Sequence, residues 1–301
     1  MSVPATYAFV ILIWSTTPLM IQWSSATMTP IESITLRMLI SLAIMTVAAP
    51  LAGVRGLNLN KNWKLYLASA LGICPAMPLV YLGAQYIPSG LVSVLFGLSP
   101  FLVGIMSSAM LKDYSMTLGR YFALGVATTG LMVIFIDGRD LGAQAYIGIL
   151  LLLGAVVVFS ISSIFVKRYA ARVHPMQQLL GSLWLACIAL VVCWALFDGG
   201  LPGEFTTRSL LSLLYLGSAG SVLGFLGYFY LMQRISVNLV SLIPLITPAL
   251  ALWLGFSFNG EALTARLLVG SALIVLGLAF FNWFRPRRVL TPPEEFLENE
   301  V

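Results

Sequence analysis

Little in this chain is equipped to break bonds. Its polar residues sit inside apolar runs, at helical spacing, where they would face one another rather than water. Arg37 is the one charge deep in such a run. It either grips a substrate carboxylate or snorkels outward toward Glu32 or lipid headgroups. Ser15, Pro18 and Gln22 fall at i, i+3 and i+7, flanked by Trp14 and Trp23. Cys74, Pro78, Tyr81 and Gln85 share a second face, and Gly90, Ser93, Gly97 and Pro100 a third. Ser160, Ser163 and Lys167 form another stripe, as do Ser218, Ser221 and Tyr228, and then Asn238, Ser241, Leu245 and Pro248. Hydroxyls, amides and aromatic rings of this kind suit reversible binding of a small neutral or zwitterionic molecule with an apolar part.

Other chemistries lack their residues. No Asp or Glu lies deep in an apolar run, so a buried carboxylate acting as a proton switch is not expected. Cys74, Cys187 and Cys193 lack metal-ligand spacing and read as small buried hydrophobes. No DxxD-like cluster is present to hold a metal phosphate. The expectation is a protein that is not an enzyme and uses no cofactor or metal.

The elements that position these residues follow from composition. The 301 residues are 59% hydrophobic and 9% charged, with a mean hydropathy of +0.97, whereas soluble domains carry about 25% charged residues. The partner implied is a lipid bilayer, and the net charge of +5 is no argument for nucleic acid. A helix needs about 20 apolar residues to cross hydrocarbon. Ten segments qualify: 4–24, 31–53, 64–86, 90–111, 118–137, 145–166, 176–197, 208–231, 236–257 and 264–284. Residues 285–301, basic and then acidic around Pro292-Pro293, read as a disordered cytoplasmic tail. No cleavable leader is expected, because residues 1–6 lack a basic stretch and the first apolar run exceeds an h-region.

Basic residues set the orientation. With the N-terminus inside, Arg55, Lys61, Lys64, Lys112, Arg120, Lys167, Arg168, Arg172, Arg234, Arg285, Arg287 and Arg288 lie on the cytoplasmic side, against Arg139, Arg208 and Arg266 outside. Both termini are therefore expected in the cytoplasm. Short connections suit a bacterial inner membrane, and a homodimer stays open.

The chain also repeats itself. Val92-Ser93, Ser99-Pro100 and Asp113 recur as Val240-Ser241, Thr247-Pro248 and Glu261, each 148 positions on. Thr29-Pro30 matches His174-Pro175, and Trp14-Ser15 matches Phe159-Ser160, at an offset of 145. Five spans per copy is odd, so the second copy enters the membrane inverted. Pro100 and Pro248 free the carbonyls of Phe96 and Pro244 at matching positions. Such carbonyls must face protein or a watered cavity. Gly217, Gly220, Gly224 and Gly227 read as a packing stripe. Asp113 and Glu261, near Arg120 and Arg266, read as organisers of turns, and His174 as a turn residue.

Leu98-Ser99-Pro100 through Asp113 and Ile246-Thr247-Pro248 through Glu261, with Gly130, Gly277 and Arg37, resemble the drug/metabolite transporter superfamily, specifically its ten-helix type with two EamA-like repeats. The resemblance spans about residues 6–284. Asp113 departs from it, since the first repeat more often has Glu. Members of that superfamily include exporters of amino acids, aromatic ones among them, and carriers of sugars, nucleotide sugars and cationic drugs. The resemblance implies an all-α integral membrane protein with repeats over 4–137 and 145–284. It also implies a secondary transporter that exports its cargo by alternating access around a midplane site. The residues proposed for that site are Trp14, Ser15, Gln22, Tyr81, Gln85, Ser93, Pro100, Ser160, Ser163, Ser221, Tyr228, Asn238, Ser241 and Pro248, with Arg37, Glu32, Asp113 and Glu261 as charge or gating candidates. A flippase for lipids or lipid-linked sugars and a cationic drug exporter are the alternatives.

Overall fold

A computed structural model describes residues 2–54, 56–111, 117–135, 144–169, 173–197, 200, 205–235, 240 and 243–284. Helices begin where a side chain can receive the first backbone N–H groups. Ser2 opens α1 (Val3–Ser24), and Thr29 opens α2 (Pro30–Leu51) through a capping box with Glu32. The third span is broken into α3 (Leu59–Leu71) and α4 (Ala76–Gly83). The continuous helix expected over 64–86 fails at Gly72–Pro75, where Pro75 lacks the N–H that would carry the ladder on. The fourth span is α5 (Ser89–Phe96) and α6 (Ser99–Leu111), interrupted at Gly97-Leu98, and α7 (Leu118–Phe135) completes the first repeat.

The second repeat holds α8 (Ala145–Tyr169) and α9 (Pro175–Phe197). Its third span runs through α10 (Thr207–Tyr215), a π-helical segment (Leu216–Leu223) and α11 (Gly224–Arg234). Then come α12 (Ile243–Asn259) and α13 (Ala265–Trp283). Thr206 and Thr264 cap α10 and α13. Among the described residues, seven helical segments are long and apolar enough to cross a bilayer, while the apolar runs of α7 and α13 are shorter. The tail expected after 284 lies outside the described residues.

Packing follows the duplication. Span one (α1) packs on spans eight and nine; its equivalent, span six (α8), packs on spans three and four. The equivalent pairs α2 with α9, and α7 with α13, meet each other directly. The chain is thus an all-α membrane bundle of two interlocked, inverted five-span repeats. Leu51, Leu118, Phe197 and Trp283 are at least four-fifths exposed on its outside, where water would be costly and lipid is not. Small residues seat the peripheral pair: a Cβ on Gly130 would meet the Gly270 carbonyl oxygen at 2.5 Å, and one on Gly277 the Ala123 oxygen at 2.7 Å.

Candidate functional site

Several buried hydroxyls spend their one donor within their own helix. Ser15 donates to the Ile11 carbonyl (2.7 Å) and Ser160 to that of Val156 (2.7 Å). The side chains left facing open space gather at a cavity of about 100 Å³ where spans one, two, three, four, six, eight and nine meet. Trp14, Arg37 and Ser93 are the sequence-derived site residues that line it.

The rest of the lining is organised by the repeat. Trp14 and Phe159, Met77 and Phe225, and Ser99 and Thr247 are equivalent pairs, and both members of each line the cavity. Trp14 and Phe159 touch edge to face, with centroids 6.5 Å apart. A residue that touches its own symmetry mate lies at the pseudo-two-fold axis, so the cavity sits on that axis. Trp14 also meets Phe225 at 6.3 Å and Tyr228 at 5.4 Å, making one aromatic wall. Pro100 and Pro248 are buried directly behind Ser99 and Thr247, which face the space instead.

Arg37 turns into the bundle rather than toward Glu32. It is 2% exposed; its Nε–H donates to Ser221 Oγ (2.8 Å) and Nη1 to Tyr81 Oη (3.3 Å). Tyr81 and Ser221 therefore hold the guanidinium without lining the cavity. Ser41 hydrogen-bonds the Gly217 carbonyl (2.8 Å), fixing the π segment against α2. The π geometry shifts the register of span eight, so Ser218 points outward while Ser221 points in, and the two do not share the face expected for them. The glycine stripe does pack: Cβ atoms on Gly217, Gly224 and Gly227 would run into Ile40, Trp14 and Val10. Glu32 closes the α2 capping box, accepting from Thr29 N–H.

Gln22, Gln85 and Glu261 lie elsewhere, at a polar cleft of about 520 Å³ beside the C-terminal end of α1. Gln22 Nε2 donates to the Ile87 carbonyl (2.8 Å) and the Ala84 carbonyl (3.4 Å). Asn259 joins the halves there, donating to Gln22 Oε1 (3.1 Å) and Glu261 Oε1 (3.0 Å) and accepting from Trp23 Nε1 (2.8 Å). Glu261 accepts the backbone N–H groups of Ser89 (3.1 Å) and Gly90 (3.4 Å), so it caps α5. Arg208 stacks over the Trp23 ring, 3.7 Å from its centroid. In the second repeat, Lys167 Nζ donates to the Met232 (2.8 Å) and Ile235 (3.3 Å) carbonyls. Ser163 pairs with Tyr228 Oη (2.9 Å), and His174 Nδ1 accepts from Met176 N–H at a helix start. Asn238, Ser241 and Asp113 lie outside the described residues.

Thr17, Ser99, Thr247, Phe96 and Phe225 also line the cavity and were not among the expected site residues. Ser99 and Thr247 carried a usable signal, since each is the hydroxyl residue of the repeated motif. Phe96 and Phe225 carried none beyond being apolar.

The EamA-like transporter family profile matches residues 5–136 and 146–283. The chain is 26% identical over 276 residues to "Uncharacterized transporter YvbV" of Bacillus subtilis, covering 91% of this chain and 90% of that one. It is 25% identical over 280 residues to "Protein PagO" of Salmonella typhimurium, covering 92% and 91%. It is also 26% identical over 244 residues to "Probable terminal-alkyne amino-acid exporter" of Streptantibioticus cattleyicolor, covering 80% of each. A solved crystal structure superposes with a TM-score of 0.70 at 22% identity, covering 95% of this chain and 99% of the other, which supports the fold.

Proposed function

Because the chain belongs to the EamA-like transporter family, within the drug/metabolite transporter superfamily, we propose that it exports small neutral or zwitterionic metabolites such as amino acids by alternating access. One observation carries this: the cavity lies on the pseudo-two-fold axis, walled by equivalent pairs from both repeats. A site on the axis is reachable from either side by the same rocking motion performed in opposite senses. The polar cross-links at the Gln22 end tie the two repeats together, so that end must part for the cavity to open there.

The lining supports a zwitterion with an apolar body. Aromatic rings and Met77 offer apolar surface, and Arg37 offers a cation. Pro18 and Pro100 lack N–H groups, so the carbonyls of the cavity residues Trp14 and Phe96 have no helical donor and can accept from an ammonium. A buried guanidinium disfavours the cationic-drug reading. The relative named as an amino-acid exporter points the same way. Residence in the inner membrane with both termini cytoplasmic completes the proposal.

Counterflow in proteoliposomes, run against amino acids, nucleosides, sugars and cationic dyes, tests it. Saturable exchange of amino acids, without exchange of the dyes, is expected. Exchange of dyes alone, or scrambling of labelled lipid without any solute flux, would overturn it.

A further inference from the structure

We infer that the bare end of the Arg37 guanidinium is the carboxylate subsite of the cavity, and that Gly220 sets its selectivity by leaving that end uncovered. The inference rests on the cavity being the transport site. An arginine carries five N–H donors. Here Nε–H is taken by Ser221 and one Nη1–H by Tyr81. The other three find no partner among the described residues, although the side chain is 2% exposed and lines the cavity. No carboxylate pairs with it among those residues either. Leaving buried charged donors unmet is costly, and a guanidinium held rigidly on one side with its other side open has the shape of an anion receptor. A carboxylate supplies the acceptors that these guanidinium donors lack.

Gly220 stands beside this end. A Cβ built there would lie 3.5 Å from Arg37 Nη2 and 3.3 Å from Leu216 Cδ2. A methyl group fits without displacing backbone, but it would lean on the nitrogen a carboxylate needs. The equivalent glycine does something else: a Cβ on Gly72 would press on Ser162 Oγ at 2.8 Å, so Gly72 serves close packing. Position 37 has no charged equivalent, since Ser182 stands 145 positions on and donates to its own helix at Leu179. The subsite is therefore single, and the ligand class is a small molecule with one carboxylate and an apolar body.

The test uses the full-length protein in detergent, with phenylalanine and leucine set against their primary amides, which keep the shape and lose the carboxylate. Thermal stabilisation reports binding without requiring transport, and counterflow in proteoliposomes reports transport. The acids should stabilise the parent and exchange through it, with the amides at least about tenfold weaker. Gly220→Ala should melt near the parent yet lose about tenfold in affinity for the acids, collapsing the acid-to-amide ratio. Equal binding of acid and amide, no stabilisation by either acid, or an unchanged ratio in Gly220→Ala overturns the subsite. Stabilisation by the acids with no exchange keeps the subsite and overturns the transport reading instead.

Discussion

Gln22 and Lys167, 145 positions apart in equivalent spans, perform the same task at opposite ends of the bundle. Gln22 donates to the carbonyls of Ala84 and Ile87, and Lys167 to those of Met232 and Ile235. Both acceptor pairs are separated by 148 positions, the offset of the sequence repeat. Each donor closes the C-terminal end of the third span in its own half, where helical carbonyls lack intrahelical partners. One half does this with a neutral amide, the other with an ammonium group.

Lys167→Met removes the donor from Met232 and Ile235 and should destabilise the protein by about 1–3 kcal/mol. Lys167→Gln restores the arrangement seen at Gln22 and should recover most of the loss. Melting of the two variants in one detergent decides the matter: if Gln recovers nothing, the charge matters and the hydrogen bonds do not.

Glu261 caps α5 through the Ser89 and Gly90 N–H groups. Glu261→Ala should cost about 0.5–2 kcal/mol of stability. If capping is its whole role, Glu261→Gln should transport with the same pH profile as the parent, at reduced rate. A flattened pH profile in Glu261→Gln would show that the carboxyl carries protons.

Ser99 and Thr247 face the cavity from equivalent positions. Ser99→Leu and Thr247→Leu should each fill it and abolish counterflow while leaving expression and melting close to the parent. If only one blocks flux, the transport path does not follow the axis.

The α7–α13 pair has no room for larger side chains at its crossing. Gly130→Val should drive a side chain into the Gly270 carbonyl and cost about 1–3 kcal/mol, as should Gly277→Val against Ala123. Both changes lie away from the cavity, so any protein that survives should keep its substrate preference, which a competition assay would read.

The architecture was legible because each span must meet the same hydrophobic length and because the repeat preserves Ser99-Pro100 and Thr247-Pro248 at a fixed offset. Helical spacing picked out Trp14, Arg37 and Ser93, which line the cavity, whereas Gln22 and Gln85 line the polar cleft at the span ends. Both lie at the end of a span, where Gln22 gives its amide to the Ala84 and Ile87 carbonyls and Gln85 is exposed at the cleft. Ser218 was lost to the π segment, whose extra residue per turn no 3.6-residue period can anticipate. Phe96 and Phe225 stayed hidden because an aromatic residue in an apolar run looks the same whether it faces lipid, core or cargo.

Position 37 carries a guanidinium where its counterpart, Ser182, carries a hydroxyl. A dimer made of two separate copies of the first half would bring two such cations to one enclosure, and a dimer of the second half would bring none. With both halves in one polypeptide the two positions differ, so a single positive group stands beside the two-fold axis, which no dimer of identical halves could arrange.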